Sequence, residues 1–471
     1  MNQPVFDVAV IGAGVVGAAI ARELSRYRLE VALLDAADDV GTGTSKANTA
    51  ILHTGFDAKP GTLEAKLVRR GHGLLLTYGA EAGIPIERTG ALLVAWDETQ
   101  AAALPAIAAT AARNGYPAVR PVATEELYRL EPHLAPGARA ALAIPDEYII
   151  CPFTTPLAFA TEAVLNGVEL RLACAVTGVA AGPDGTHRLE TASSTLDARW
   201  VVNAAGLHAD TVDRLFGHAA FTVTPRRGEL IVYDKLARPL VRHVLLPVPT
   251  ALSKGVLVAQ TVFGNVVLGP TAEDVDDRTA TASTAAGLAR LVEQGSGIVP
   301  ALAREEVTAV YVGLRAATEH GDYQIRFHPP ERYLCVGGIR STGLTASMAI
   351  AEHVVDGLRD AGVRLVAREP WTRACMPNLG EAFERPYRSA ERIAENSDYG
   401  RIVCHCERVT RGEILDAVRA TVPARSLDGL RRRTRALLGR CQGFYCGARV
   451  AALLSEATGR SVASLLGLED G

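Results

Sequence analysis

At 471 residues the chain is long enough for two or three domains, and 48% hydrophobic with 21% charged residues is an ordinary globular composition. Its 49 basic and 52 acidic side chains leave a net charge of −3, which removes the electrostatic case for a nucleic-acid partner. No apolar run is long enough to span a bilayer, and the apolar opening lacks a basic n-region and carries Asp7. The chain is therefore expected to be soluble and cytoplasmic, without direct membrane insertion, reaching a membrane only through a partner.

Residues 5–11 read as a buried parallel strand, Gly14–Tyr27 as a helix, and Glu30–Leu34 as a second strand ending at Asp35. The turn between strand and helix carries Gly12-x-Gly14-x-x-Gly17, with Val15 and Val16 inside it. Such glycines let backbone N–H groups approach a pyrophosphate at a helix N-terminus, and Asp35 would accept hydrogen bonds from an adenosine ribose. A dinucleotide site is expected there.

Residues 41–55 (GTGTSKANTAILHTG) are glycine- and hydroxyl-rich and include Thr44, Ser45, Asn48, Thr49 and His53. Ile86–Trp96, Phe221–Tyr233, Gly255–Thr261 and Asn265–Leu268 alternate polar and apolar residues, as in an antiparallel sheet inserted in pieces. Two further strand-like runs end in glycine turns. Arg199–Asn203 leads into Ala204-Ala205-Gly206, and Tyr333–Val336 leads into Gly337-Gly338 followed by Ile339, Arg340, Gly343, Leu344 and Thr345. The expected division is a discontinuous dinucleotide domain (1–80, 145–215, 331–362), a second domain (81–144, 216–330), a surface linker (363–397) and a compact tail (398–471).

Residues 41–55, VVNAAG at 201–206 and GGIRSTGLTAS at 337–347 together resemble the D-amino-acid oxidase/glycerol-3-phosphate dehydrogenase superfamily, and most closely the FAD subunit of anaerobic glycerol-3-phosphate dehydrogenases. The resemblance implies FAD as cofactor and a mixed α/β and α+β fold. In it, an antiparallel substrate domain is inserted into a Rossmann-like FAD-binding domain. It also implies oxidation of a C–H bond beside a hydroxyl or amine, with hydride passing to flavin N5. Arg315, in VGLRAAT, matches the arginine that anchors an anionic substrate. His53, in ILHTG, matches a histidine beside the flavin that could accept the hydroxyl proton. The bland alternatives are a structural ion pair for Arg315 and a backbone hydrogen bond for His53. Lys254, Arg227 and Tyr323 are weaker candidates for the substrate face.

Arg315-Ala316 stands where larger family members have Arg-Pro, which leaves the substrate open between glycerol 3-phosphate and a 2-hydroxy acid such as 2-hydroxyglutarate. An opine-, imino- or amino-acid dehydrogenase, and a non-catalytic electron-transfer subunit, are the rival readings.

In the tail, Cys404-x-Cys406 and Cys441-x4-Cys446 supply four thiolates, the ligand set of an iron–sulfur cluster or a structural zinc, with the one-residue gap tight for zinc. Cys404 and Cys406 are expected on a short exposed loop. Thr410-x-x-Glu413 is a capping box opening a helix to about Ala420. Ser426 or Asp428 would cap a second helix bearing Arg431, Arg432, Arg433 and Arg435 as a solvated face, and Cys446 would open a third helix, where the dipole favours its thiolate. The sequence GRCQGFYCGARV resembles the bacterioferritin-associated-ferredoxin-like [2Fe-2S] domain. That resemblance implies a cluster relaying electrons to an acceptor protein, and hence a possible hetero-oligomer. Cys151, Cys174, Cys335 and Cys375 read as inert thiols of a reducing cytoplasm.

Overall fold

The computed structural model describes residues 5–192, 194–249, 255–377, 379 and 383–468; Lys254 lies outside them. The first apolar run forms β1 (Val5–Ile11), which turns at Gly12 into α1 (Val15–Leu24) and returns as β2 (Val31–Leu34), parallel to β1. The helix ends short of Tyr27 because the chain there turns to meet residues 366–368. Tyr27 bridges Ala367, and the Arg28 N–H donates to the Val366 carbonyl.

On the other side of β1 lies β3 (Thr195–Asn203), also parallel. Two long strands follow, β4 (Val223–Tyr233) and β5 (Val307–Thr318), paired antiparallel along their length. The chain then re-enters the first sheet as β6 (Tyr333–Gly337), parallel to the end of β3, and leaves it in α2 (Gly343–Asp360). Glu169–Arg171, Val176–Ala181, His187–Thr191 and Gln324–His328 complete an eight-stranded sheet. Helix α1 packs between α2 and the helix Thr154–Leu165, so the sheet is buried, as its continuous apolar strands require.

A second, nine-stranded sheet contains β4 and β5. It is antiparallel except where Val244–Pro247 runs parallel to Ala91–Ala95, the seam between the two inserted pieces. A small three-stranded sheet joins Ile51–Leu52, Tyr148–Ile150 and Ile86–Arg88. Gln324–His328 pairs with β6 in the first sheet, although the expected boundary between segments falls after it, at 330/331. Backbone pairing, invisible in a short polar strand, decides its place.

The described residues of 363–397 run largely exposed and are tied to the body at several points. Thr372 N–H donates to Asn166, Ala374 N–H to the buried Glu162 carboxylate, and Met376 N–H to the Ala82 carbonyl, while Ala374 and Leu379 are buried. The tail has its own core of Val403, Val409, Ile414, Leu430, Val450 and Leu454 beneath α3 (Arg411–Arg419), α4 (Leu427–Thr434) and α5 (Gly447–Thr458). The Thr410–Glu413 capping box forms, and Ser426 rather than Asp428 caps α4. Among the described residues no helix is long and apolar enough to cross a membrane.

Candidate active site and thiolate site

At the end of β1 the backbone of Gly12 takes φ +107°, and a Cβ there would sit 2.4 Å from the Ala204 carbonyl oxygen. One at Gly17 would sit 1.8 Å from the Gly12 carbonyl oxygen. Only glycine lets this turn, the start of α1 and the Ala204 turn meet, and that close approach is what a pyrophosphate cradle needs. Asp35 accepts from the N–H groups of Ala13 (2.6 Å) and Ala37 (2.8 Å); burial outweighs those bonds and raises its carboxyl above the ordinary value. The Val15 N–H at the helix start donates to Ser45 Oγ at 2.9 Å.

A cavity of about 370 Å³ opens between the two large sheets. It is lined from the first sheet's side by Gly14, Val15, Val16, Thr44, Ser45, Asn48 and Thr49, and farther along by Gly206, Ile339, Arg340, Gly343, Leu344 and Thr345. His53 and Arg315 line the same space. Gly12, Gly17, Asp35, Ala205 and Gly338 lie outside the lining. Gly12 and Gly17 build the turn, Asp35 fixes it from behind, Ala205 caps to Asn203, and Gly338 (φ +65°) packs on Gln324. The residues 44–48 are pinned to β5 by Thr44 Oγ1 donating to the Leu314 carbonyl and Tyr311 OH to the Asn48 carbonyl.

His53 follows the short strand Ile51–Leu52, with its N–H held by Thr345 Oγ1 at 3.0 Å. Its Nδ1 lies 3.2 Å from Oε2 of Glu147, a fully buried carboxylate whose other oxygen accepts from the N–H and Oγ1 of Thr54. The contact is one of charge rather than an aligned hydrogen bond, since Glu147 Oε2 has no hydrogen-bond partner among the described residues; a buried carboxylate this close would stabilise an imidazolium. Glu147 was not singled out from the sequence. Its one signal was an acid entering the apolar run Tyr148–Ile150.

Arg315 projects from β5 and donates to the Thr271 carbonyl at 2.5 Å. Its neighbours Arg226 and Arg227 pair with Asp274 and Glu273, whereas no carboxylate lies within ion-pair distance of Arg315 among the described residues. Burial, with the nearby Arg226, pushes its guanidinium down to about 10. A desolvated cation of this kind is an anion site waiting for its partner. Among the described residues the cavity charges are Arg290, Arg315 and Arg340 against Asp57. Arg290 and Gln294, on the helix Ala285–Ile298, carry no motif and went unnoticed in the sequence. Tyr323 is instead buried, its OH 2.5 Å from Thr342 Oγ1, which donates to Glu64, and Arg227 is consumed by Glu273.

The thiolate site departs from expectation in exposure. Cys404 ends the strand Ile402–Cys404 and is buried, as is Cys446, while Cys406 and Cys441 are half-buried. The sulfurs form two pairs, Cys404 with Cys446 and Cys406 with Cys441. A zinc with Zn–S of ~2.3 Å would hold all four within about 4 Å of one another. Among the described residues, the group of three or more such side chains within 4.8 Å is His218, His328 and Glu331 instead. Two thiol pairs that also interact with each other, Cys406 with Cys404 and Cys446 with Cys441, can hold two irons. Burial and Cys404 push the Cys446 thiol up to about 12, so the dipole does not win there; Cys441 is the one lowered, by backbone N–H groups led by Tyr445.

The Arg431 side chain stays 42% exposed and pairs with Asp428 on its own helix, but Arg432, Arg433 and Arg435 are not a solvated face. Asp39, buried in the segment after β2, accepts from Arg432 Nη2 at 2.6 Å and from both Nη atoms of Arg433 at 2.7 Å. Arg435 donates to Glu407 at 2.7 Å and lies 4.0 Å over the Phe263 ring. Lys46–Asp428 and Lys235–Glu407 add outer pairs. Helix α4 thus docks on the segment 39–46, whose Thr44 and Ser45 line the cavity from the other side.

A family model described as FAD dependent oxidoreductase matches residues 7–357. The chain belongs to this family. A second, BFD-like [2Fe-2S] binding domain, matches residues 402–456. A glycerol 3-phosphate dehydrogenase of Caloramator mitchellensis is 38% identical over 96% of this chain and 95% of its own. One component of the anaerobic glycerol-3-phosphate dehydrogenase of Escherichia coli K12 is 26% identical, over 96% of this chain and 88% of its own. Dithionite-reduced L-alpha-glycerophosphate oxidase from Mycoplasma pneumoniae, solved with FAD bound, superposes with a TM-score of 0.75 at 29% identity. All of that oxidase is covered, but only 80% of this chain. The flavoenzyme is therefore an FAD oxidoreductase with an appended [2Fe-2S] domain, and the fingerprint glycines and paired thiols fit those two groups.

Proposed function

We infer that this enzyme oxidises glycerol 3-phosphate at C2 and delivers the electrons through its [2Fe-2S] centre to a partner protein. The observation that carries the substrate is Arg315, a desolvated guanidinium with no carboxylate at ion-pair distance among the described residues, in a cavity shared with His53. The phosphate would take the guanidinium fork, with Arg290 supplying a second positive charge at the lining. That places the hydroxyl carbon toward the flavin side. The His53 imidazole accepts the hydroxyl proton, and the Glu147 carboxylate beside Nδ1 steadies the charge that forms. Leu93, Leu230, Leu246 and Leu257 wall the cavity and exclude water from the reacting carbon. FAD, when bound at the fingerprint turn, supplies the hydride acceptor; Cys404, Cys406, Cys441 and Cys446 would hold the cluster.

The eight-stranded sheet is read as the FAD-binding part and the nine-stranded sheet as the substrate-facing part. The oxidase that it resembles covers 80% of this chain, and this chain carries a [2Fe-2S] domain match at residues 402–456. This favours a dehydrogenase whose electrons exit through protein over one that discharges them to dioxygen. Anaerobic titration with sn-glycerol 3-phosphate, L-2-hydroxyglutarate and an imino acid tests the reading. Bleaching of the flavin band by glycerol 3-phosphate at micromolar to millimolar levels is expected; preferential bleaching by either of the others would replace it.

A further inference from the structure

The loop that supplies Cys441 and Cys446 carries the most exposed large apolar side chain among the described residues, Phe444 at 97%, beside Tyr445 at 72%. This is a built tip. The Phe444 N–H donates to the Cys441 carbonyl, Gly443 turns at φ +85°, and the Tyr445 ring packs edge-on against His405 at 5.2 Å. His405 itself lies between Cys404 and Cys406, so both ligand-bearing loops meet in one aromatic face. Exposed neighbouring aromatics of this size mark a contact surface.

Among the described residues the charge around the tip is mainly basic, with the exposed Glu306 held by Arg440 as the acid beside it. Residues 429–455 hold six arginines and no carboxylate, and of these Arg449 is exposed next to the loop. Arg408 is exposed on the other loop, where its Nη1 donates to Tyr387 OH at 3.0 Å, and the neighbouring acid, Glu407, is turned inward to Arg435 and Lys235. Arg440 is committed to Asp234 and Glu306.

We propose that the Phe444–Tyr445 tip, rimmed by Arg408 and Arg449, is the docking surface for an acidic one-electron carrier protein. This rests on the reading that electrons leave through the cluster, and it names where. A contact of two rings and a basic rim belongs to the small, transient class of redox interfaces, steered by charge. Each oxidised carrier takes one electron from the reduced [2Fe-2S] centre. Two carriers therefore drain the two electrons of one substrate oxidation, while the two protons go to solvent.

The test uses the holoenzyme and an acidic [2Fe-2S] ferredoxin as probe, with basic cytochrome c as control. Binding of oxidised ferredoxin is measured by calorimetry at low and at high salt. Electron transfer is measured from enzyme reduced with dithionite and then desalted. Phe444→Ala/Tyr445→Ala, both at the surface, should weaken ferredoxin binding and slow its reduction at least about tenfold. Arg449→Glu should do so chiefly at low salt. Flavin and cluster content should stay at wild-type levels in both. Wild-type enzyme that does not bind the ferredoxin, or variants that bind and reduce it as wild type does, would overturn the proposal. So would a wild-type dimer that the double variant abolishes, since a second copy then covers the tip. Because dithionite supplies the electrons, a failure of glycerol 3-phosphate to bleach the flavin would leave this result standing and sink only the substrate assignment.

Discussion

Replacing Asp39 by Asn removes the charge that two buried arginines of α4 share. Asp39 is 2% exposed and Arg432 and Arg433 are 4% and 8% exposed, so water cannot replace it without opening the interface. Breaking a buried pair by removing one partner costs about 3–5 kcal/mol. Arg432 keeps Asp428, and Arg433 keeps the Val422 and Gly429 carbonyls, which puts the cost at the lower end, about 3 kcal/mol. At roughly 1.4 kcal/mol per decade, the docked-to-undocked ratio should fall about a hundredfold. Hydrogen exchange reads this directly: amides of α4 should lose about a hundredfold in protection while those of α1 keep theirs. Acid gives the same result from the other side. Burial would raise the Asp39 carboxyl, but the hydrogen bonds and charges of Arg433 and Arg432 prevail and hold it below its ordinary value of 3.8. Its contribution is thus complete above that value and lost as pH falls through the lower folded one. Asp39→Asn should abolish that acid-dependent loosening. Unchanged α4 protection in Asp39→Asn at neutral pH would refute the clamp, whereas Lys46→Met, which breaks an exposed pair, should cost no more than about 1 kcal/mol.

Glu147→Gln should lower kcat about ten- to a hundredfold with little change in KM, since the amide still fits but no longer steadies the imidazolium; an equal rise in KM would point to substrate binding instead. Arg315→Lys keeps the charge and loses the fork, and a loss of about ten- to a hundredfold in kcat/KM, carried mainly by KM, is expected in steady-state assays. His53→Asn should slow anaerobic flavin bleaching about 10²- to 10⁴-fold while leaving the flavin bound. Cys441→Ser should remove the iron found by elemental analysis and leave substrate bleaching of the flavin intact.

Much of the first sheet was legible because its signals are local. Gly12, Gly14 and Gly17 are demanded by a turn spanning six residues, and the apolar runs at 5–11 and 333–336 need no distant partner to read as buried strands. His53 and Arg315 were placed by resemblance, and the fold brings them to one cavity. Glu147 was missed because a buried acid is recognisable only once the strand it precedes is paired against Ile51–Leu52. Arg432, Arg433 and Arg435 misled for a related reason. A run of like charge on an amphipathic helix is solvated by default, and nothing within the helix announces a single carboxylate nearly four hundred residues earlier.

The sequence by itself therefore determined the dinucleotide turn, the strand–helix–strand core and the two thiol pairs, since each depends on residues close together in the chain. Tertiary structure alone decided how the thiols pair, that Arg315 is buried with no carboxylate at ion-pair distance among the described residues, and that Asp39 holds the tail onto the flavin-binding body. Burial and charge pairing are properties of space, and the chain order does not carry them.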